Sequence, residues 1–248
     1  MRKYLQISSK GISFILFILL WSVVAKIVDN NFVFPSILNV INSLKDIVSD
    51  DSFFKIVWNT LFKLIVVVGV TILLSLVMGI LSFRYNIFKE LIAPYISVIK
   101  AIPTVALIII ILVWYDASVV PIIVGVMIIF PILYDNILNG ILSIDGNLVK
   151  MSKTFDVPLK RKILELYIPS VYYHIAGGIH SLIGLAFKVI IAGEVLSQEN
   201  FSIGGEILLN KVYLETSSIF AWVIVVIFLN FLIEKVVILI NKRLMSWR

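Results

Sequence analysis

Apolar residues dominate six stretches of the chain, about 11–28, 56–83, 91–115, 118–142, 171–196 and 219–240. Crossing a bilayer core takes roughly 20 mostly apolar helical residues, and each stretch is near or above that length. The runs are continuous rather than alternating. They therefore predict helices and not the roughly ten-residue strands of a membrane barrel. Polar and charged residues bunch between the runs. The pattern predicts an all-α polytopic membrane protein with six transmembrane helices.

The segment between the first two runs has a different rhythm. After Pro35 and Ser36, the apolar positions Ile37, Val40, Ile41, Leu44, Ile47 and Val48 recur at helical spacing, with Asn39, Asn42, Lys45 and Asp46 between them. Ser36 can cap the first turn. This predicts an amphipathic helix lying on the membrane surface or over the bundle. Pro94 and Pro103 fall in the third run, Pro121 and Pro131 in the fourth. Each lacks a backbone donor and is expected to kink its helix. Gly177, Gly178 and Gly184 open the fifth run, where small residues allow close helix approach.

Composition strengthens the membrane reading. Hydrophobic residues make up 60% of the chain and charged residues 15%, against about 45–50% and 25% in soluble domains. That excludes a disordered chain, a coiled coil and an ordinary water-soluble enzyme. The absence of cysteine excludes disulfides, a thiolate nucleophile and a cysteine metal site.

The distribution of Lys and Arg sets the expected orientation, because cytoplasmic loops carry the excess. With the N-terminus inside, fourteen of these cations fall on the cytoplasmic side, Arg248 among them, against Lys26, Lys45, Lys55 and Lys211 outside. Both termini are thus expected in the cytoplasm, which makes the 37–48 helix external and the 144–170 loop cytoplasmic. Arg2, Lys3 and Lys10 before an apolar run also suit a secretory signal peptide, but no small-x-small cleavage site follows, so a retained anchor is expected. The expected division is 1–33, a cytoplasmic tail and first transmembrane helix, and 34–245, the remaining transmembrane unit.

The 144–170 loop reads as two short helices, near 146–156 and 158–167. Pro158 suits the first turn of the second. Ile163, Leu164, Leu166 and Tyr167 give that helix an apolar side, and Lys160, Arg161 and Lys162 a wet one. Pro169 is expected to break the chain before the fifth span. A basic loop resting on lipid headgroups explains the charges, but not the loop's helical length.

This loop resembles the cytoplasmic coupling motif of bacterial ABC importer permeases: Glu-Ala-Ala, three residues, Gly, nine residues, then Ile-x-Leu-Pro. With Pro169 at the final position, Ile168 and Leu166 occupy the Leu and Ile positions and Asp156 that of Gly. Lys150, Met151 and Ser152 stand at Glu-Ala-Ala. Other segments are similar to the nitrate/sulfonate/taurine branch. Phe34-Pro35-Ser36 resembles the Leu-Pro-Ser that opens its outer helix. Ile102–Tyr115 resembles its third-span signature, with Ile109 in place of a second Pro and Asp116 in place of Gly. Gly184-Leu185-Ala186-Phe187 with Ala192-Gly193-Glu194 resembles its fifth span, and Ser202-Ile203-Gly204-Gly205 the Gly-Ile-Gly that follows. These segments occur in the family's order.

The resemblance implies a permease subunit of an ATP-driven importer. Two permease subunits, expected as a homodimer, form the solute path in a bacterial cell membrane. Two cytoplasmic ATPase subunits hold the ATP and Mg, so this chain binds no cofactor itself. An extracytoplasmic binding protein delivers a small solute; nitrate, sulfonates, taurine, bicarbonate and thiamine-precursor pyrimidines are all open. Thr154, Phe155 and Asp156 are placed at or near the ATPase contact, and Pro169 at the turn into the fifth span. No catalytic residue and no nucleic-acid partner are implied.

Ionisable residues inside the runs need partners, since a charge at mid-bilayer costs at least about 2.5–3.5 kcal/mol. Lys63 lies near a span edge and is expected to snorkel. Lys100, Lys188 and Glu194 lie deeper, with Asp135 toward the inner end of the fourth run. Lys188 and Glu194 are about 240° apart on a helix and cannot pair with each other. Two readings stay open for these residues: they line the translocation path, where Lys188 favours an anionic solute, or they form buried ion pairs that set helix register. His174 and His180 do not share a face, and no metal site is expected. An intramembrane enzyme built on Asp135, Lys188 and Glu194 is an alternative, without a nucleophile–base pair to support it. A channel or secondary carrier without an ATPase is another.

Overall fold

A computed structural model of the chain describes residues 2–244; Arg248 lies outside them. These residues form helices and connecting turns. α1 (Arg2–Val28) and the 13-residue α2 (Ile37–Ser49) precede the long α3 (Phe53–Arg84). α4 (Asn86–Ala101), α5 (Thr104–Leu112) and α6 (Val120–Leu142) follow. Next come α7 (Gly146–Thr154), α8 (Leu159–Lys162) and a π-helical turn, Ile163–Tyr167, that runs into α9 (Ile168–Ala176). α10 (Ile179–Ser197), α11 (Ile203–Val212) and α12 (Thr216–Leu244) complete the chain.

Among the described residues, five helices are long and apolar enough to span a membrane: α1 over Gly11–Val28, α3, α6, α10 and α12 over Thr216–Arg243. The α4–α5 pair makes a sixth candidate. The third apolar run is therefore not one straight helix. It bends by 100° at Ile102–Pro103, where Pro103 supplies no donor for continuing the helix. None of the other three prolines interrupts its helix, and Pro94 lies inside α4. Pro121 sits in the first turn of α6 and Pro131 inside it, and α6 remains one helix. The fifth run is also divided, at Gly177–Gly178 between α9 and α10.

α3, α6 and α10 form the core. Val67, Ile129, Ala186, Phe187 and Ile190 are buried there with Trp222 and Val225 of α12. Helix approach is close: a Cβ on Gly193 of α10 would stand 2.9 Å from the Pro121 Cα of α6. The outward faces of α3 and α12 keep Ile65, Leu73, Ile80, Ile227 and Phe231 exposed. Such long, apolar-surfaced helices are those of a membrane protein.

α2 is a helix where the pattern predicts one, with Val40 of its apolar positions buried and Ile41 and Val48 exposed. The Ser36 hydroxyl caps it, accepting from the Asn39 N–H at 3.3 Å. α2 packs against α12 at one end of the bundle, here termed the α2 end. α1 meets this end through Trp21, whose indole N–H donates to the Pro35 carbonyl (3.0 Å) and whose ring lies against Phe34 and Phe220. α7 and α8 project at the opposite end.

Candidate functional site

Two groups of residues singled out in the sequence have distinct surroundings. The first is the α7–α8 projection. Asp145 caps α7, its carboxylate accepting from the Asn147 N–H at 2.8 Å. The helix ends where Phe155 and Val157 donate back to the Met151 and Ser152 carbonyls, both at 3.0 Å. Asp156 sits between them at φ 46°. That left-handed conformation favours glycine or asparagine, so this position has the geometry that a glycine would supply. The reversal leaves Phe155 74% exposed at the tip. Lys150, Met151 and Thr154 are exposed and Ser152 is half-buried. A hollow between α7 and the following segment has an apolar side of Leu148, Met151, Phe155, Val157 and Leu166 and a charged edge of Arg161, Lys162 and Glu165.

Pro169 does not break the chain as expected. The helix runs through it by widening: the Ile168 N–H bonds to the Ile163 carbonyl, five residues back. Proline has no N–H for the Glu165 carbonyl and would crowd it in a regular helix, which the π turn relieves. α8 is thus joined to α9 by continuous helical structure. α9 in turn lies on α6, where the Ser170 hydroxyl donates to the Gly140 carbonyl at 2.8 Å. Leu166 and Pro169 are half-buried along this connection and Ile168 is exposed.

The second group lies inside the bundle. Glu194 of α10 is fully buried, and its carboxylate is surrounded by donors. Lys63 Nζ of α3 lies 2.9 Å from Oε1, and the Thr60 hydroxyl donates at 2.9 Å. The Gly204 N–H at the start of α11 donates to Oε2 at 3.0 Å. Lys63 also contacts Glu199 at 2.7 Å. The snorkelling expected of Lys63 is therefore wrong: only 3% of its side chain is exposed. Depth along one span shows how far an ammonium is from water, but not that carboxylates from a distant segment surround it. The available signal was that Lys63 and Glu194 are charges at similar depth in their own spans, close to the same bundle end. Glu199, in the turn after α10, carries no such signal in the sequence, since it lies outside the apolar runs.

Gly204 permits this arrangement. A Cβ there would stand 2.6 Å from the Ile191 carbonyl oxygen and 2.7 Å from the Val195 nitrogen, both backbone atoms. Ser202 caps α11, accepting from the Gly205 N–H at 3.0 Å. Thr60 links the two helices, since its oxygen also accepts from the Ile203 N–H at 3.1 Å.

Lys100, at the end of α4, is paired with Asp135 of α6, and both side chains are about two-fifths exposed (43% and 42%). Lys188 is exposed on α10 and, among the described residues, has no hydrogen-bond or ion-pair partner. The three residues expected to share one role thus have three different surroundings. His174 packs against Gly140 of α6. Among the described residues, no three His, Asp or Glu side chains converge to hold a metal.

The described residues thus form a bundle of helices long and apolar enough to span a membrane, with an exposed helical projection joined to it by continuous helical structure. Residues 71–246 match the binding-protein-dependent transport system inner membrane component family, and the chain belongs to that family of ABC transporter permeases. It is 22% identical over 177 residues to a putative aliphatic sulfonates transport permease protein, SsuC, of Bacillus subtilis (strain 168). That match covers 71% of this chain and 63% of the relative, so the chain spans less than two thirds of that protein. It is 23% identical over 240 residues to a putative ABC transporter permease protein of Methanocaldococcus jannaschii, covering 93% of this chain and 88% of the relative.

Proposed function

We propose that the chain is the path-forming permease subunit of an ATP-driven importer, and that the α7–α8 projection is the lever through which a separate ATPase drives it. The exposed Phe155 at the tip is the observation that carries the reading. A large apolar side chain held out at a helix reversal, beside a hollow lined by Met151 and Leu166, suits insertion into a cleft on a partner. Lys150, Ser152, Thr154 and Asp156 form the polar rim of the same contact. Leu166, Ile168 and Pro169 transmit its displacement, because α8, the π turn and α9 are continuous and α9 rests on α6.

The Lys and Arg distribution supports a cytoplasmic lever, cytoplasmic termini and an α2 on the outer side. α4–α5 then forms one bent span, giving six. Residues 1–33 act as an accessory anchor to the permease unit 34–245. Two copies face each other across the path in a bacterial cell membrane, and an extracytoplasmic binding protein delivers the solute. ATP and Mg belong to the ATPase.

The test is purification of the tagged chain from native membranes. A nucleotide-hydrolysing polypeptide is expected to accompany it, and uptake into vesicles is expected to stop with a non-hydrolysable nucleotide. Uptake that continues without any ATPase would refute the reading.

A further inference from the structure

Of Lys63, Lys100 and Lys188, lysines within the apolar runs, two have carboxylate partners. Lys63 is held by Glu194 and Glu199, and Lys100 by Asp135. Lys188 is exposed and has none among the described residues. It stands at the midpoint of α10 (Ile179–Ser197), so about 13 Å of helix separates it from either end. A stem of four methylenes does not bridge that distance to the headgroups. An ammonium facing hydrocarbon at this depth is strongly disfavoured, so the Lys188 face of α10 borders water, a ligand or another protein surface.

That face is a stripe on which Ser181, Leu185, Lys188 and Leu196 are exposed. It is flanked on one side by α5, which packs on Val189, and on the other by α12, where Asn230 meets Gly184. The carboxylates at this depth are already engaged. Glu234 of α12 lies one turn past Asn230 in the direction away from Lys188, about two turns distant along the bundle. A second copy of the chain brings the same engaged carboxylates, so it supplies no counter-charge either. Among the described residues, then, no carboxylate at this depth is left to pair with Lys188.

We propose that Lys188 lines the solute path and binds the anionic group of the transported solute, a small oxyanion or an organic molecule carrying one. This rests on the permease reading above and adds a ligand class and a binding residue to it. An ammonium in a narrow, low-dielectric channel raises the local concentration of anions and lowers that of cations.

The native chain contains no cysteine, so Leu185→Cys introduces a single thiol one turn from Lys188. Its reaction rates with an anionic and a cationic methanethiosulfonate of similar size are measured in native membranes, with the complex intact. Both reagents are expected to react, with the anion favoured; Lys188→Gln lowers the anionic-to-cationic rate ratio about tenfold, and Lys188→Arg preserves it. Nitrate or ethanesulfonate slows the anionic reagent when Lys188 is present and not in Lys188→Gln. A ratio unaffected by Lys188→Gln overturns the proposal, as does a thiol reached only by a lipid-soluble maleimide. The labelling requires no nucleotide, so it fails independently of the ATPase test.

Discussion

Lys63 and Glu194 are 131 positions apart in the chain, and their charged atoms are 2.9 Å apart in the fold. Glu199 shares the same ammonium at 2.7 Å. The cluster fastens α3 to α10 and to the start of α11 in a buried setting, where removing one partner strands the others. Lys63→Met leaves two buried carboxylates without a cation and is expected to destabilise the protein by about 3–5 kcal/mol. Glu194→Gln keeps one acceptor oxygen, at the position that both Thr60 and Gly204 reach, and leaves Glu199 on Lys63, so it is expected to cost less. Thermal unfolding of the purified variants in detergent checks the order; equal midpoints for Lys63→Met and the parent chain would contradict it.

Gly204 faces backbone atoms of α10 that cannot rotate away. Gly204→Ala is expected to force α11 off α10 and to cost about 1–3 kcal/mol, the range for overpacking a tight contact. Gly146, where nothing lies within 4 Å of an added Cβ, is the control. Gly146→Ala is expected to leave the unfolding midpoint unchanged or slightly raised. Both are read in the same unfolding experiment.

At the α2 end, Glu206 lines a cavity with Asp46, Asp50 and Glu215. Burial holds its carboxyl above the ordinary 4.5, and the neighbouring Asp50 charge pushes it in the same direction. A carboxyl raised on folding binds its proton more tightly in the folded state. Its effect is therefore a loss of stability that develops as pH rises from the unfolded value through the folded one. Glu206→Gln is expected to raise the unfolding midpoint at neutral pH, with the gain vanishing in acid below the unfolded value. A gain that grew in acid would reverse the assignment.

The elements that could be read from sequence are those set by local pattern. Continuous apolar runs marked the spans, and the helical spacing from Ile37 to Val48 marked α2 with Ser36 as its cap, as observed. What could not be read depends on distant contacts or on competing local solutions. Pro103 signals an interruption but not a 100° bend. Pro169 signals a break, yet the backbone absorbs it in a π turn because α9 has α6 to rest on. Lys63 looks like an edge residue until the carboxylates of α10 and the turn after it are brought to it. The two short helices of the 144–170 loop were legible because they are set within one segment, and the left-handed backbone at Asp156 ends the first of them.

Phe155 is 74% exposed, so its removal leaves folding nearly unchanged, within about 0.5 kcal/mol. As the anchor of a partner contact it is expected to contribute about 2 kcal/mol or more, upward of tenfold in affinity. Phe155→Ala is therefore expected to keep the parent unfolding midpoint while the ATPase is lost on purification. Met151→Ala, at the rim of the same hollow, is expected to weaken the association less.

The central claim is tested most directly by placing a photo-crosslinking amino acid at position 155 and irradiating intact cells. One dominant adduct is expected, with a cytoplasmic polypeptide that binds and hydrolyses ATP, and its yield is expected to change when nucleotide is trapped. An adduct with an extracytoplasmic protein, or no protein adduct while uptake continues, would contradict it.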